Sequence, residues 1–320
     1  MTEAQVLEVK DLKVEFTTDR SKTLAVDGVD LSLGQSGTLG LVGESGCGKS
    51  VTALSIMRLL PSYASVNGQI IFKGKDLLKT KKSEIARIRG NQISMIFQEP
   101  MTSLNPVFTV EYQLAEVLKL HRNEDQRGIR SRVVELLSMV GIPNPERRSR
   151  DYPHQLSGGM RQRVMIAMAM ACEPGLLIAD EPTTALDVTI QAQILDLMKR
   201  LQESHSTSLL FITHDLGVIA QIADRVAVMY AGQIMEYADV KELFAAPLHP
   251  YTRGLLKTIP QVSKKQSRLE EIKGTVPNMS SVPPGCRFND RCSERMPRCS
   301  VEIPPLTESG GRKVRCWLYL

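Results

Sequence analysis

Eight consecutive residues, Gly43-Glu44-Ser45-Gly46-Cys47-Gly48-Lys49-Ser50, have the types and spacing needed to enclose a chain of phosphates. The pattern is G-x-x-x-x-G-K-S. Its glycines let the backbone wrap closely enough for successive N–H groups to face phosphate oxygens. Lys49 is expected to set its ammonium between the terminal phosphates, and the Ser50 hydroxyl to ligate Mg2+. Cys47 reads as a filler of the loop, since a serine-sized residue suffices there. A second group, Asp180-Glu181, follows the apolar run 176–179. A carboxylate ending a strand can hold Mg2+ through water, and Glu181 beside it can orient or deprotonate a water attacking phosphorus. His214 follows the run 209–213 and Gln98 follows 93–97. Both are expected to complete that shell, His214 at the terminal phosphate and Gln98 through its amide.

Groups of this kind need short strands that open onto loops. Residues 38–42, 93–97, 176–179, 209–212 and 226–229 are continuous apolar runs, the pattern of parallel strands covered on both faces. Each stops at a polar or glycine-rich segment, and the carboxyl ends of such strands converge on one site. Residues 7–16 and 24–33 instead alternate apolar and polar side chains, which predicts a half-buried antiparallel edge sheet. Between 106 and 170 helical periods take over, at 112–121, 127–139 and 159–172, predicting a helical insertion in a strand-rich core. Beyond 260 prolines crowd, among them Pro277, Pro283, Pro284, Pro304 and Pro305, and such a segment needs a staple to hold a shape.

The chain has 320 residues and a net charge of +5. Residues 261–320 hold eleven Lys and Arg against six Asp and Glu, so the excess lies there and the remainder is balanced. A basic stripe over the main domain, the footprint of a nucleic-acid binder, is therefore absent and no nucleic-acid partner is expected. No uncharged apolar run approaches the roughly 18 residues that span a bilayer. The first residues also lack the order of an export signal, so a soluble, unexported protein is expected. Cys286, Cys292, Cys299 and Cys316 cluster in the tail with spacing C-x5-C-x6-C-x16-C. In a reducing cytosol such clustering points to metal ligation before disulfides, although this spacing matches neither zinc ribbons nor ferredoxins and leaves the metal open.

The stretch Leu156-Ser157-Gly158-Gly159-Met160-Arg161-Gln162-Arg163 resembles the signature motif of ABC ATPases, with Met160 where Gln is more usual. With the phosphate loop, Gln98, Asp180-Glu181, Ala185-Leu186-Asp187 and His214, the resemblance covers about residues 1–250. It implies an α/β fold with a P-loop NTPase core of ABC type: a mostly parallel sheet with helices, an antiparallel edge sheet and a helical subdomain. The ATPase domain would span 1–260, with the helical subdomain at about 106–170, and 261–320 would form a small cysteine-rich extension. ATP and Mg2+ are the implied ligands. Contacts would come from Phe16, stacked on adenine, from Gly43, Glu44, Ser45, Gly46, Cys47, Gly48, Lys49, Ser50 and Val51, and from Asp187. Mg2+ would be held by Ser50, Gln98 and Asp180, with Glu181, His214 and Gln98 catalytic. The family's head-to-tail pairing would bring Ser157, Gly158 and Gly159 onto ATP held by a second ATPase subunit, where a hydroxyl, N–H groups and a helix dipole suit a γ-phosphate.

Residues 98–106, 152–160 and 249–252 are similar to the first of two paired ATPases in dipeptide, oligopeptide and nickel importers. That implies a heterodimer of ATPases, two membrane permease subunits, an extracytoplasmic solute-binding protein reached through them, and a peripheral location at the cytoplasmic face of the inner membrane. Met101, Leu104 and Val107 would form the apolar centre of the permease contact. Solutes such as nickel, glutathione or opines are the alternative cargo, and an ABC ATPase without a membrane partner is the alternative function. The same family carries a C-terminal region with this cysteine pattern, which implies a [4Fe-4S] cluster on Cys286, Cys292, Cys299 and Cys316. Zinc or unligated thiols are the alternatives, and Arg287, Arg291, Arg295, Arg298 and Arg315 would offset the charge of the ligated thiolates.

Overall fold

A computed structural model of the chain describes residues 5–18, 21–98, 103–122, 125–184, 186–258 and 272–320. They divide into two compact units, one drawn from 34–37 and 79–210, the other from 5–33, 38–78 and 211–320. Among the described residues no helix is long and apolar enough to cross a membrane.

The second unit begins with β1 (Gln5–Thr18) and β2 (Ser21–Gly34), whose alternating burial follows the alternation of the sequence. Next come β3 (Thr38–Val42), buried along its whole length, and α1 (Lys49–Ile56). Antiparallel to β1 runs β4 (Ala64–Phe72), with Leu7 opposite Phe72 and Phe16 opposite Ala64. With β5 (Lys75–Asp76) the edge sheet has the order β2-β1-β4-β5.

The other unit contains α2 (Lys82–Ile88), β6 (Ile93–Ile96), α3 (Val110–His121), α4 (Gln126–Met139), α5 (Pro145–Arg148), α6 (Gly158–Met170), β7 (Leu176–Asp180) and α7 (Val188–His205). The helices arise where apolar residues recur at helical spacing: α4 buries Ile129, Val133, Leu136 and Leu137, and Asp125 caps its first turn. Thr109 caps α3 in the same way. β6 and β7 run parallel, with Ile93 opposite Leu176 and Ile96 opposite Ala179. Leu104 is 2% exposed and Val107 69% exposed, so Leu104 belongs to the core and not to an exposed apolar contact. Met101 and Ala185 lie outside the described residues.

The chain continues through β8 (Ser208–Thr213), buried throughout, α8 (Leu216–Ile222), β9 (Arg225–Tyr230), β10 (Gln233–Asp239), α9 (Val240–Ala245) and α10 (Pro250–Lys257). β9 lies parallel to β3, and β10 turns back antiparallel to β9. The tail adds a hairpin, β11 (Thr307–Ser309) and β12 (Arg312–Val314), turned by Gly310 and Gly311, both at positive φ as a two-residue hairpin loop requires. β12 extends the sheet of this unit by pairing with β10, Val314 opposite Glu236. Phe288 adds a second anchor, its ring 5.2 Å from Tyr230 and 5.3 Å from Tyr251. Strand addition and an aromatic cluster thus supply the staple that the proline-rich tail needs.

Candidate functional site

The loop between β3 and α1 is pressed against its own unit so closely that only glycine fits at two positions. A Cβ on Gly43 would lie 2.1 Å from Met229 O, and one on Gly48 2.8 Å from Ala25 O. Gly48 also caps α1 at φ 110°, a conformation costly for other residues, and no side chain caps that helix end. The opposite face of the loop carries Ser45 and Gly46, both exposed. Lys49 is buried and donates from Nζ to Gly43 O at 2.8 Å and Glu44 O at 3.0 Å, so its ammonium spans the start of the loop. Glycines that a Cβ would displace, uncapped helix amides and a fixed ammonium form a donor set suited to phosphate. Cys47 is buried beside them, and burial pushes its thiol up against the opposing pull of Lys49. It therefore stays neutral, as expected of a filler.

Two residues far along the chain hold this loop from behind. Glu44 N donates to Tyr251 Oη at 3.0 Å, and Arg291 grips the Glu44 carboxylate with both arms, at 2.7 and 3.0 Å. Tyr251 is placed by the turn before α10, where its N donates to His249 Nδ1 and His249 N donates to buried Glu236. Full burial, with Arg253 adding to it, depresses His249 to about 3, which keeps Nδ1 an acceptor. Neither support is marked by the sequence: residues 249–252 carry only a family likeness, and Arg291 beside Cys292 suggests a thiolate partner.

In the unit of 79–210, the parallel register that sets Ile96 beside Ala179 carries Gln98 to Glu181. Gln98 Nε2 donates to Glu181 Oε2 at 3.1 Å, and Thr184 Oγ1 donates to the same oxygen at 3.0 Å. Glu181 sits at φ 48°, a left-handed conformation that costs a non-glycine residue on the order of 1–3 kcal/mol. Strain of this kind persists where neighbours over-determine it, as these two hydrogen bonds do, and it favours a functional role for the side chain. Asp180 precedes it at the buried end of β7. Thr184 is the residue the sequence reading missed in this corner.

Ser157 caps α6, its Oγ accepting from Met160 N at 3.3 Å, and Gly158 has open space around it. Gly159 lies against Ile190, where a Cβ would come within 2.9 Å. Asp187 caps α7 by accepting from Ile190 N at 2.9 Å. In the other unit, Phe16 is half-buried near the end of β1 with its ring 5.9 Å from that of exposed Tyr63. His214 is exposed directly after β8, ahead of Asp215, which caps α8.

The expectation of an iron-sulfur cluster or zinc in the tail is overturned. Among the described residues no group of three or more His, Cys, Asp or Glu could hold a metal ion, and all four tail cysteines are free. They do border one cavity, with Phe288, Met296 and Trp317, but its volume is about 10 Å³, room for one water at most. Burial pushes Cys286 up to about 11 and raises Cys292 and Cys316, so these thiols are neutral. The arginines serve other partners. Arg287 binds Asp27 at 2.5 Å, Arg291 binds Glu44, Arg298 lies over Trp317 and pairs with Glu302, and Arg315 donates to the carbonyls of Ile234 and Pro304.

Residues 26–184 match the family model described as ABC transporter, and residues 235–299 match that of the oligopeptide/dipeptide transporter C-terminal region. The chain is 54% identical over 317 residues to the oligopeptide transport ATP-binding protein AppD of Bacillus subtilis, covering 98% of this chain and 97% of that relative. It is 53% identical to the dipeptide transport ATP-binding protein DppD of the same organism, with 98% and 95% covered. Among solved structures it is similar to the dimeric post-hydrolysis state of the ATP-binding cassette MJ0796 bound to ADP and Pi. That likeness has a TM-score of 0.65 at 25% identity and covers 73% of this chain and 98% of that one.

Proposed function

Because this chain belongs to the ATP-binding subunits of ABC transporters, of the oligopeptide and dipeptide branch, we propose that it hydrolyses ATP to energise a peptide importer. The observation that carries this reading is the loop 43–50, whose backbone, glycines and fixed Lys49 ammonium form a grip for a triphosphate.

Lys49 and the amides from Gly43 to Val51 bind the phosphates, and Phe16 stacks on the base. Ser50, Gln98 and Asp180 are the residues that would hold Mg2+, which when bound neutralises charge across the terminal phosphates. Glu181 orients the attacking water and accepts its proton, while Gln98 and Thr184 fix the carboxylate. His214 contacts the γ-phosphate. Ser157, Gly158 and Gly159 offer a capped helix start to the ATP of a second ATPase subunit, with Asp187 at the start of α7, where Ile190 lies against Gly159. Membership of this family implies a partner ATPase and membrane permeases. The full reading is a related second ATPase, two permease subunits and an extracytoplasmic binding protein reached through them, at the cytoplasmic face of the inner membrane. In this reading residues 1–260 form the ATPase, with the helical subdomain at about 106–170, and 261–320 form a cysteine-rich extension.

Glu181→Gln in the assembled transporter tests the assignment. Hydrolysis should fall by at least about a hundredfold, the scale of a lost general base, with ATP affinity nearly kept. Hydrolysis at the parental rate would refute it.

A further inference from the structure

Glu44 is the only acidic residue in the loop that faces a triphosphate, and a carboxylate there opposes a polyanion. Its side chain is nevertheless fixed. Arg291 meets both carboxylate oxygens, at 2.7 and 3.0 Å, with the arginine side chain 7% exposed and the glutamate 26%. The guanidinium is itself immobilised, Nε donating to Lys273 O and Nη2 to Ile272 O, with the rings of Tyr230 and Phe288 within about 6 Å. This planar, fully engaged fork is the geometry in which an Arg–carboxylate pair is strongest and most directional. The backbone of Glu44 meanwhile belongs to the grip, because its carbonyl receives Lys49 and its N–H is held by Tyr251.

We propose that Arg291 is a positioning residue for ATP. Through its bidentate pair with Glu44 it neutralises the loop's own negative charge beside the Lys49 ammonium. The cysteine-rich tail thereby completes the phosphate loop in cis. The inference rests on the nucleotide-binding reading above, and its consequence is specific: the damage done by losing Arg291 should come from the carboxylate left behind.

A double-mutant cycle on the full-length chain, titrated with MgATP by calorimetry, tests this. Arg291→Ala should weaken binding about tenfold, the scale of one partly screened charge against a polyanion. Glu44→Gln should tighten binding about threefold, and the double variant should return to within about twofold of Glu44→Gln. Arg291→Lys, which keeps the charge and loses the fork, should fall between parent and Arg291→Ala. In the assembled transporter Arg291→Ala should raise the KM for ATP and leave kcat nearly intact. Parental affinity in Arg291→Ala, or a double variant as weak as Arg291→Ala, overturns the proposal. Should Arg291→Ala fail to fold by thermal melting, Glu44→Gln decides alone, and weaker binding than the parent overturns it. A parent that binds no MgATP refutes the nucleotide reading itself.

Discussion

Lys49 owes its position to residues far along the chain, whereas Glu181 owes its position to a register and a turn. Around Lys49, Gly43 abuts Met229, Cys47 O accepts from Gly232 N, and Tyr251 and Arg291 reach back over 207 and 247 residues to hold Glu44. Glu181 is held by Thr184, three residues on, and by Gln98, delivered by the pairing of β6 with β7, while its backbone sits at φ 48°. The first arrangement is one that the whole unit must unmake before it moves. The second stores strain against two hydrogen bonds and is the easier to readjust. A grip that is rigid and a catalytic carboxylate that is poised follow from these two ways of holding a side chain.

The comparison predicts unequal damage. Gly43→Ala sets a Cβ against a backbone carbonyl that cannot rotate away, so it should cost about 3 kcal/mol and abolish nucleotide binding, measured by urea unfolding and MgATP titration. Acid should loosen the same side. His249 takes up a proton near 6.5 when unfolded but only near 3 when folded, so between those values the unfolded chain binds more protons. Stability should therefore fall as pH drops, by about 2 kcal/mol from this group between pH 7 and 5. In His249→Gln that component should vanish from urea unfolding at the two pH values. The smallest effect belongs to the other region. Thr184→Val removes one donor to Glu181 and should lower kcat about three- to tenfold, the worth of one hydrogen bond, with the affinity for MgATP kept.

What could be read in the sequence was what neighbouring residues decide. Residues 38–42 followed by Gly43 to Ser50 mark a buried strand, a tight loop and a helix start by local pattern alone. Apolar runs likewise located β6, β7, β8 and β9 to within two residues. The meeting of Gln98 with Glu181 needed the parallel register as well, which strand ends suggest but do not fix. The hold of Arg291 on Glu44 joins residues in segments with no shared pattern, so no local signal could reveal it. The cysteines misled for the same reason. Spacing shows which thiols lie near one another along the chain but not how they are arranged in space, where among the described residues they form no group able to hold a metal ion and border a cavity too small for a cluster. One local signal does mark the tail hairpin: Ser309-Gly310-Gly311-Arg312 has the two-glycine turn of a hairpin.

Calorimetric titration of the full-length chain with MgATP, beside Lys49→Ala, tests the central claim most directly. The account predicts saturable binding at one site in the parent and a loss of about a hundredfold in the variant, the scale of charged hydrogen bonds to phosphate. No uptake by the folded parent, or equal affinity in Lys49→Ala, would contradict it.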